Sequence, residues 1–278
     1  MQTREIALGP DSGDVSLSYL EAGEGEPLLL VHGFTGAKED FADEVDRLAV
    51  LGHHVVAPDL RGHGDSSQPA EESAYSLDLF ASDLWALTDH LGWPAFDLLG
   101  HSMGGMIAQV MVLDRPGHIE RLILMDTHHG RLGTIDGELV KIGIELARTE
   151  GLAVIQEVLK MGADPLDNPA YRRVCAERPG YEEWSESKML RSSPAMYAAM
   201  LGYLDSVDDR LDELASVDQQ TLVLVGELDE GFRRASERMA AAIPHAELVV
   251  LEGGGHSPQF EATQAWREAV DSFLAVPG

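Results

Sequence analysis

The chain is poor in cysteine, in positive charge and in long apolar runs, and each shortage removes a class of protein. Cys175 is the only cysteine in 278 residues, so no intrachain disulfide can form and no cysteine cluster can hold a metal. No apolar run approaches the ~18 residues that a membrane span needs. The opening residues, Met1-Gln-Thr-Arg-Glu-Ile6, lack the basic segment and apolar stretch of a secretory signal, so a soluble, cytoplasmic protein is expected. Lysine and arginine together number 20 against 48 aspartates and glutamates, a formal net charge of −28. Such a surface repels nucleic acid and anionic membranes, leaving a small molecule as the expected partner. It also slows strongly anionic substrates unless a basic pocket receives them. Solubility or salt tolerance accounts for the charge without any role in chemistry.

What is present fits one large α/β domain or two small ones, long enough to bury a core without staples. Residues 5–21 alternate loosely around Gly9-Pro10-Asp11-Ser12-Gly13, which predicts a β-hairpin at a sheet edge. Pro27–Val31 is a continuous apolar run, the mark of a strand buried on both faces. Phe41–Leu51 has helical spacing and stops at Gly52, and His54–Ala57 is the next strand. Leu77, Phe80, Leu84, Leu87 and Leu91 share one face of a helix. A strand over Phe96–Leu99, a helix to about Asp114 and a strand over Arg121–Met125 follow. Strands alternating with helices imply right-handed crossovers and a parallel sheet.

The rhythm lapses after Asp126. From about His129 to Asp218 the chain is helical in character, with clear segments at Leu139–Leu146 and Leu152–Met161, broken by Pro165, Pro169, Pro179 and Pro194. It resumes with strands at Thr221–Val225 and Glu247–Leu251 and helices at Phe232–Ala242 and Thr263–Leu274.

The centre of this pattern is Gly100-His-Ser-Met-Gly104. A bare G-x-S-x-G occurs by chance; here an apolar strand leads into it and a helix leads out, the context in which a nucleophilic serine sits on a strained turn. Gly100 and Gly104 are required because side chains there would strike the neighbouring strand or helix. A serine needs a base held by an acid. Ligands of an open α/β sheet sit beyond the carboxyl ends of its strands, and Asp229 and His256 follow two later strands. The order Ser102, Asp229, His256 is the one that accompanies a genuine elbow. Glu227 and Glu230 compete with Asp229, but its place after Val225-Gly226 favours it. The oxyanion hole is expected from the backbone N–H groups of Met103 and Phe34, the latter at the end of an early strand.

The motifs HGF (32–34), DLRGHGDS (59–66), GHSMGG (100–105), GELD (226–229) and GGGHSPQFE (253–261) resemble the α/β-hydrolase superfamily, and more narrowly its lidded, esterase-like serine hydrolases. The resemblance implies the α/β-hydrolase fold: an eight-stranded, mostly parallel sheet with helices on both faces, its core formed by residues 1–128 and 217–278 and a helical lid by residues 129–216. Serine at 102 departs from the aspartate of haloalkane dehalogenases and epoxide hydrolases. HGFTGAKEDF (32–41) and GELDEGFRR (226–234) are also similar to the menaquinone-biosynthesis synthase group, which carries an arginine shortly after the elbow where this chain has Met106.

The expected activity is hydrolysis of small to medium carboxylic esters or lactones through an acyl-enzyme on Ser102, with no cofactor and no metal, by a monomer or homodimer. Alternatives are a carbon–carbon bond hydrolase or a pyruvate-eliminating synthase using the same triad, or a non-catalytic ligand receptor on the same scaffold. Arg233 or Arg234 is the candidate to replace the synthase arginine. His101 is expected to pack beside the elbow, His32 to order the oxyanion loop, and Asp59–Ser66 to brace the elbow by hydrogen bonds. His128 and His129 stand where a substrate could touch them; as adjacent residues they are expected to point apart and to hold no metal.

Overall fold

The strands of a computed structural model, which describes residues 1–9, 12–132, 137–163 and 167–275, form one sheet of eight in the order β1-β2-β4-β3-β5-β6-β7-β8. They are β1 (Gln2–Ala7), β2 (Ser16–Ala22), β3 (Glu26–Val31), β4 (His53–Pro58), β5 (Phe96–His101), β6 (Ile119–Met125), β7 (Gln220–Gly226) and β8 (Ala246–Leu251). β1 and β2 pair antiparallel, β2 joins β4 antiparallel, and every later pairing is parallel. The hairpin therefore lies at the sheet edge, as its alternation predicts. Pro10 and Asp11 of its turn, and Pro165, lie outside the described residues.

Period-two alternation divides the core into two layers. Leu29, Val31, Leu98, Leu122, Leu124 and Val223 face helices α2 (Leu77–His90), α3 (Met103–Asp114) and α10 (Glu230–Ala242), meeting Phe80, Leu84, Ile107, Met111 and Met239. Leu28, Leu30, Val55, Leu99, Ile123, Met125 and Leu224 face α1 (Ala42–Val50) and α12 (Thr263–Phe273), meeting Val45, Leu48, Trp266 and Val270. Each fully buried Leu or Phe contributes roughly 1.5–3 kcal/mol by leaving water.

Between β6 and β7 the chain forms α4 (Gly137–Thr149), α5 (Leu152–Val158), α6 (Pro169–Glu177), α7 (Tyr181–Leu190), α8 (Pro194–Leu204) and the short α9 (Leu211–Leu214); α11 (Pro258–Glu261) follows β8. Pro169 and Pro194 open α6 and α8, where a missing N–H costs nothing, so these prolines start helices as well as separate them. The insertion is fastened to the core at its ends and middle. Arg173 of α6 donates to the carbonyls of Gly253 (2.9 Å) and Glu261 (2.5 Å). Lys188 of α7 bonds buried Asp40 while lying 4.2 Å from the Trp184 ring centre. Among the described residues no helix is long and apolar enough to cross a membrane.

Candidate active site

β5 delivers Ser102 to the carboxyl edge of the sheet in a conformation side chains rarely adopt, φ 53° and ψ −118°. Such backbone costs on the order of 1–3 kcal/mol and persists only where the surroundings hold it. Here the Ser102 N–H donates to the Met125 carbonyl (2.9 Å), and the Thr127 hydroxyl donates to the Ser102 carbonyl (2.6 Å). The flanking glycines are required by contact. A Cβ on Gly104 would stand 2.3 Å from the Val31 carbonyl oxygen, and one on Gly100 2.3 Å from that of Gly104.

Three strands then bring three side chains together. His256 Nε2 lies 3.0 Å from Ser102 Oγ, and His256 Nδ1 lies 2.8 Å from Asp229 Oδ2. Asp229 precedes α10 yet its carboxylate caps no helix N–H, leaving it directed at the imidazole. A carboxylate can only accept, so Nδ1 carries the proton and Nε2 is free to accept from the serine. Glu227 instead accepts the Gly253 N–H at 2.9 Å, and Glu230 begins α10. The histidine loop is held by Glu261, whose Oε2 accepts the N–H groups of Gly255 (2.7 Å) and Ser257 (3.0 Å); burial pushes this carboxyl up.

The loop after β3 packs directly on the elbow: a Cβ at Gly33 would lie 2.9 Å from Ser102 Cβ. Among the described residues the N–H groups of Phe34 and Met103 have no acceptor, which leaves both free beside Ser102. His32 orders this loop. Its Nε2 accepts the Leu60 N–H (3.1 Å), so its Nδ1 is the protonated atom and donates to the Gly33 carbonyl (2.8 Å). Burial holds its pKa below the ordinary value. Phe34 and Tyr197 of α8 have ring centres 4.9 Å apart, and Phe232 lies 4.5 Å from the His256 ring, giving the site apolar walls.

Several secondary expectations are corrected. Arg61, in the loop 59–66, pairs with buried Asp83 of α2 through two 2.5 Å bonds and reaches the carbonyls of Ser12 and Ala74. Asp59 binds the Lys38 side chain at 2.6 Å. That loop therefore braces α2 and the sheet edge, and reaches the loop after β3 through the Leu60 N–H bond to His32. His128 and His129 do not point apart: their rings stack at 4.7 Å, because they lie past the end of β6 where strand alternation no longer applies. His129 is buried against Asp209 (2.8 Å), which closes the end of the insertion. Met106, an uncharged side chain, is buried in the core, while Arg233 turns to Glu237 and Arg234 is exposed. Sequence reasoning missed Asp126, Thr127 and Glu261. Their signal was position: the first two follow a strand end, and the third lies five residues after His256.

Comparison with known proteins agrees with this fold. A family model for the alpha/beta hydrolase fold matches residues 26–141. Lipase 3 of Moraxella sp. (strain TA144) is 28% identical over 246 residues, covering 86% of this chain and 74% of that one. The 2-hydroxymuconate semialdehyde hydrolase of Pseudomonas putida is 29% identical over 274 residues, covering 92% and 89%. The structure of a thermophilic esterase from Thermogutta terrifontis superposes with a TM-score of 0.79 at 29% identity, covering 99% and 98%. This sheet order, the elbow between β5 and α3 and the matching family model together show that the chain has the α/β-hydrolase fold.

Proposed function

We propose that the protein is a serine hydrolase cleaving small to medium carboxylic esters or lactones, with Ser102, His256 and Asp229 as its triad. The observation that carries this reading is the unbroken relay from Ser102 Oγ to His256 Nε2 (3.0 Å) and from Nδ1 to Asp229 (2.8 Å). His256 takes the Ser102 proton as the oxygen attacks the carbonyl carbon. The N–H groups of Phe34 and Met103 receive the developing oxyanion, whose stabilisation is worth about 10²–10³ in rate per donor. His256 returns the proton to the leaving alkoxide, and water activated by the same imidazole releases the acid from Ser102. Residues 129–216 act as a lid over this site. The similarity to a lipase and to an esterase supports the ester class.

A second reading, carbon–carbon bond hydrolysis with the same triad, is favoured by the similarity to the Pseudomonas putida hydrolase. Pyruvate elimination is disfavoured, since the position after the elbow is the uncharged, buried Met106, Arg233 faces Glu237 and Arg234 is exposed. The test is a fluorophosphonate probe and a panel of p-nitrophenyl esters, lactones and carbon–carbon hydrolase substrates, with Ser102→Ala as blank. One label at Ser102 with ester turnover is expected. An unlabelled protein rejects the nucleophile; labelling without ester turnover moves the assignment to the second reading or to a receptor.

A further inference from the structure

Asp126 stands at the carboxyl end of β6, the strand between those that carry Ser102 and Asp229. It is fully buried and held at φ 43°, a left-handed conformation that side chains rarely take. Its backbone N–H donates to the Leu224 carbonyl (2.9 Å), and its Oδ1 accepts the Gly226 N–H (2.8 Å), fixing it to β7 from both sides. Ligand-forming atoms of Asp126, Asp229 and His256 all lie within 4.8 Å of one another. Asp126 Oδ2 is buried, and among the described residues no N–H or O–H reaches it. The charged groups around Asp126 include the carboxyls of Asp229 and Glu261 and the His256 imidazole.

Two ionised carboxylates at this separation, out of water, repel strongly; one proton between them turns the same contact into a hydrogen bond. We propose that Asp126 is a positioning residue whose protonated carboxyl donates from Oδ2 to the Asp229 carboxylate, so that the acid behind His256 is a carboxyl pair holding one proton and one negative charge. The proposal rests on the triad reading above. Asp229 Oδ2 accepts from His256, which leaves its Oδ1 to accept from Asp126 and fixes the carboxylate plane against the imidazole. Burial first, and the neighbouring Asp229 second, push Asp126 well above the usual carboxylate range, in keeping with a retained proton. No proton moves within the pair during turnover; its charge stays at one throughout.

The test compares wild type with Asp126→Asn, Asp126→Ala, Asp229→Asn and the double Asn variant. Asparagine keeps an acceptor for Gly226 and a neutral donor for Asp229. The proposal expects Asp126→Asn to react with fluorophosphonate within about threefold of wild type, and Asp126→Ala to react ~10–100-fold more slowly. It also expects the acidic limb of the labelling-rate pH profile to be unchanged in Asp126→Asn, one neutral group replacing another. In Asp229→Asn the remaining carboxyl ionises beside His256, so adding Asp126→Asn lowers the rate a further tenfold or so. Independently of activity, the infrared C=O band of a protonated acid at neutral pH disappears in Asp126→Asn. A fall of the acidic limb in Asp126→Asn, or a difference spectrum without that band, overturns the proposal, because either means an ionised Asp126. Wild type that resists the probe while keeping the band rejects the triad reading and leaves the carboxyl pair standing.

Discussion

The residue before Ser102 holds the histidine that faces it: His101 Nε2 donates to the His256 backbone carbonyl at 2.6 Å, with the two ring centres 5.0 Å apart. The bond joins the end of β5 to the loop after β8 across the site. Because a carbonyl only accepts, the His101 proton sits on Nε2, and burial with the nearby His256 pushes its pKa down to about 3. His101→Ala is expected to slow fluorophosphonate labelling ~10–100-fold, since a displaced general base costs rate out of proportion to the distance moved. His101→Gln, which keeps a donor, is expected to recover part of it. Equal rates for all three proteins would show that the bond has no part in placing His256.

The strained backbone at Ser102 predicts a trade of activity against stability. Glycine adopts φ 53° without penalty, so Ser102→Gly should lose turnover and yet melt about 2–3 °C higher than wild type. Thermal unfolding followed by circular dichroism decides it. A lower melting temperature would mean that the lost side-chain contacts outweigh the relieved strain.

Gly33→Ala tests the proposed oxyanion loop. Its Cβ would lie 2.9 Å from Ser102 Cβ and 3.3 Å from the His101 carbonyl oxygen, both backbone-anchored neighbours that cannot swing aside. Moving the Phe34 N–H by a few tenths of an ångström should lower kcat by about 10–100-fold while KM changes little. An effect confined to KM would place the loop in substrate binding instead.

Buried neutral histidines make the fold acid-sensitive. His63 is pushed down to about 3 by burial and by His32, whereas the unfolded chain titrates near 6.5. Between those values the unfolded state binds the extra proton, so the stabilising difference is full above about pH 6.5 and shrinks as pH falls toward 3. His101 acts in the same direction and Asp126, with its raised pKa, in the opposite one. His63→Asn is therefore expected to lose less melting temperature than wild type between about pH 7 and pH 4.5. Parallel losses would mean that His63 is charged in the native protein.

Much of this was legible in the chain because it depends on neighbours in sequence. The strand before Gly100, the helix after Gly104 and the need for glycine at both follow from hydrophobic period and from steric contact within one turn. The alternation of strands and helices implies a parallel sheet, and a parallel sheet collects its strand ends on one edge, so Ser102, Asp229 and His256 could be named together before any distance was known. The start of α3 at Met103, inside the Gly100–Gly104 pattern, is hidden because Gly104 and Gly105 carry no hydrophobic signal.

Only the tertiary structure decided the contacts between distant segments. The strand order sets β6 between β5 and β7, and that adjacency, which no periodicity encodes, presses the Asp126 carboxyl toward Asp229 and ties Thr127 to the elbow. It sends Arg61 to Asp83 on α2, away from the serine, and stacks His128 on His129 once the strand has ended. A sequence can state which residue types reach the working edge of the sheet; which of them touch is settled by packing, where burial forces each polar group to find whatever partner the neighbouring strand supplies.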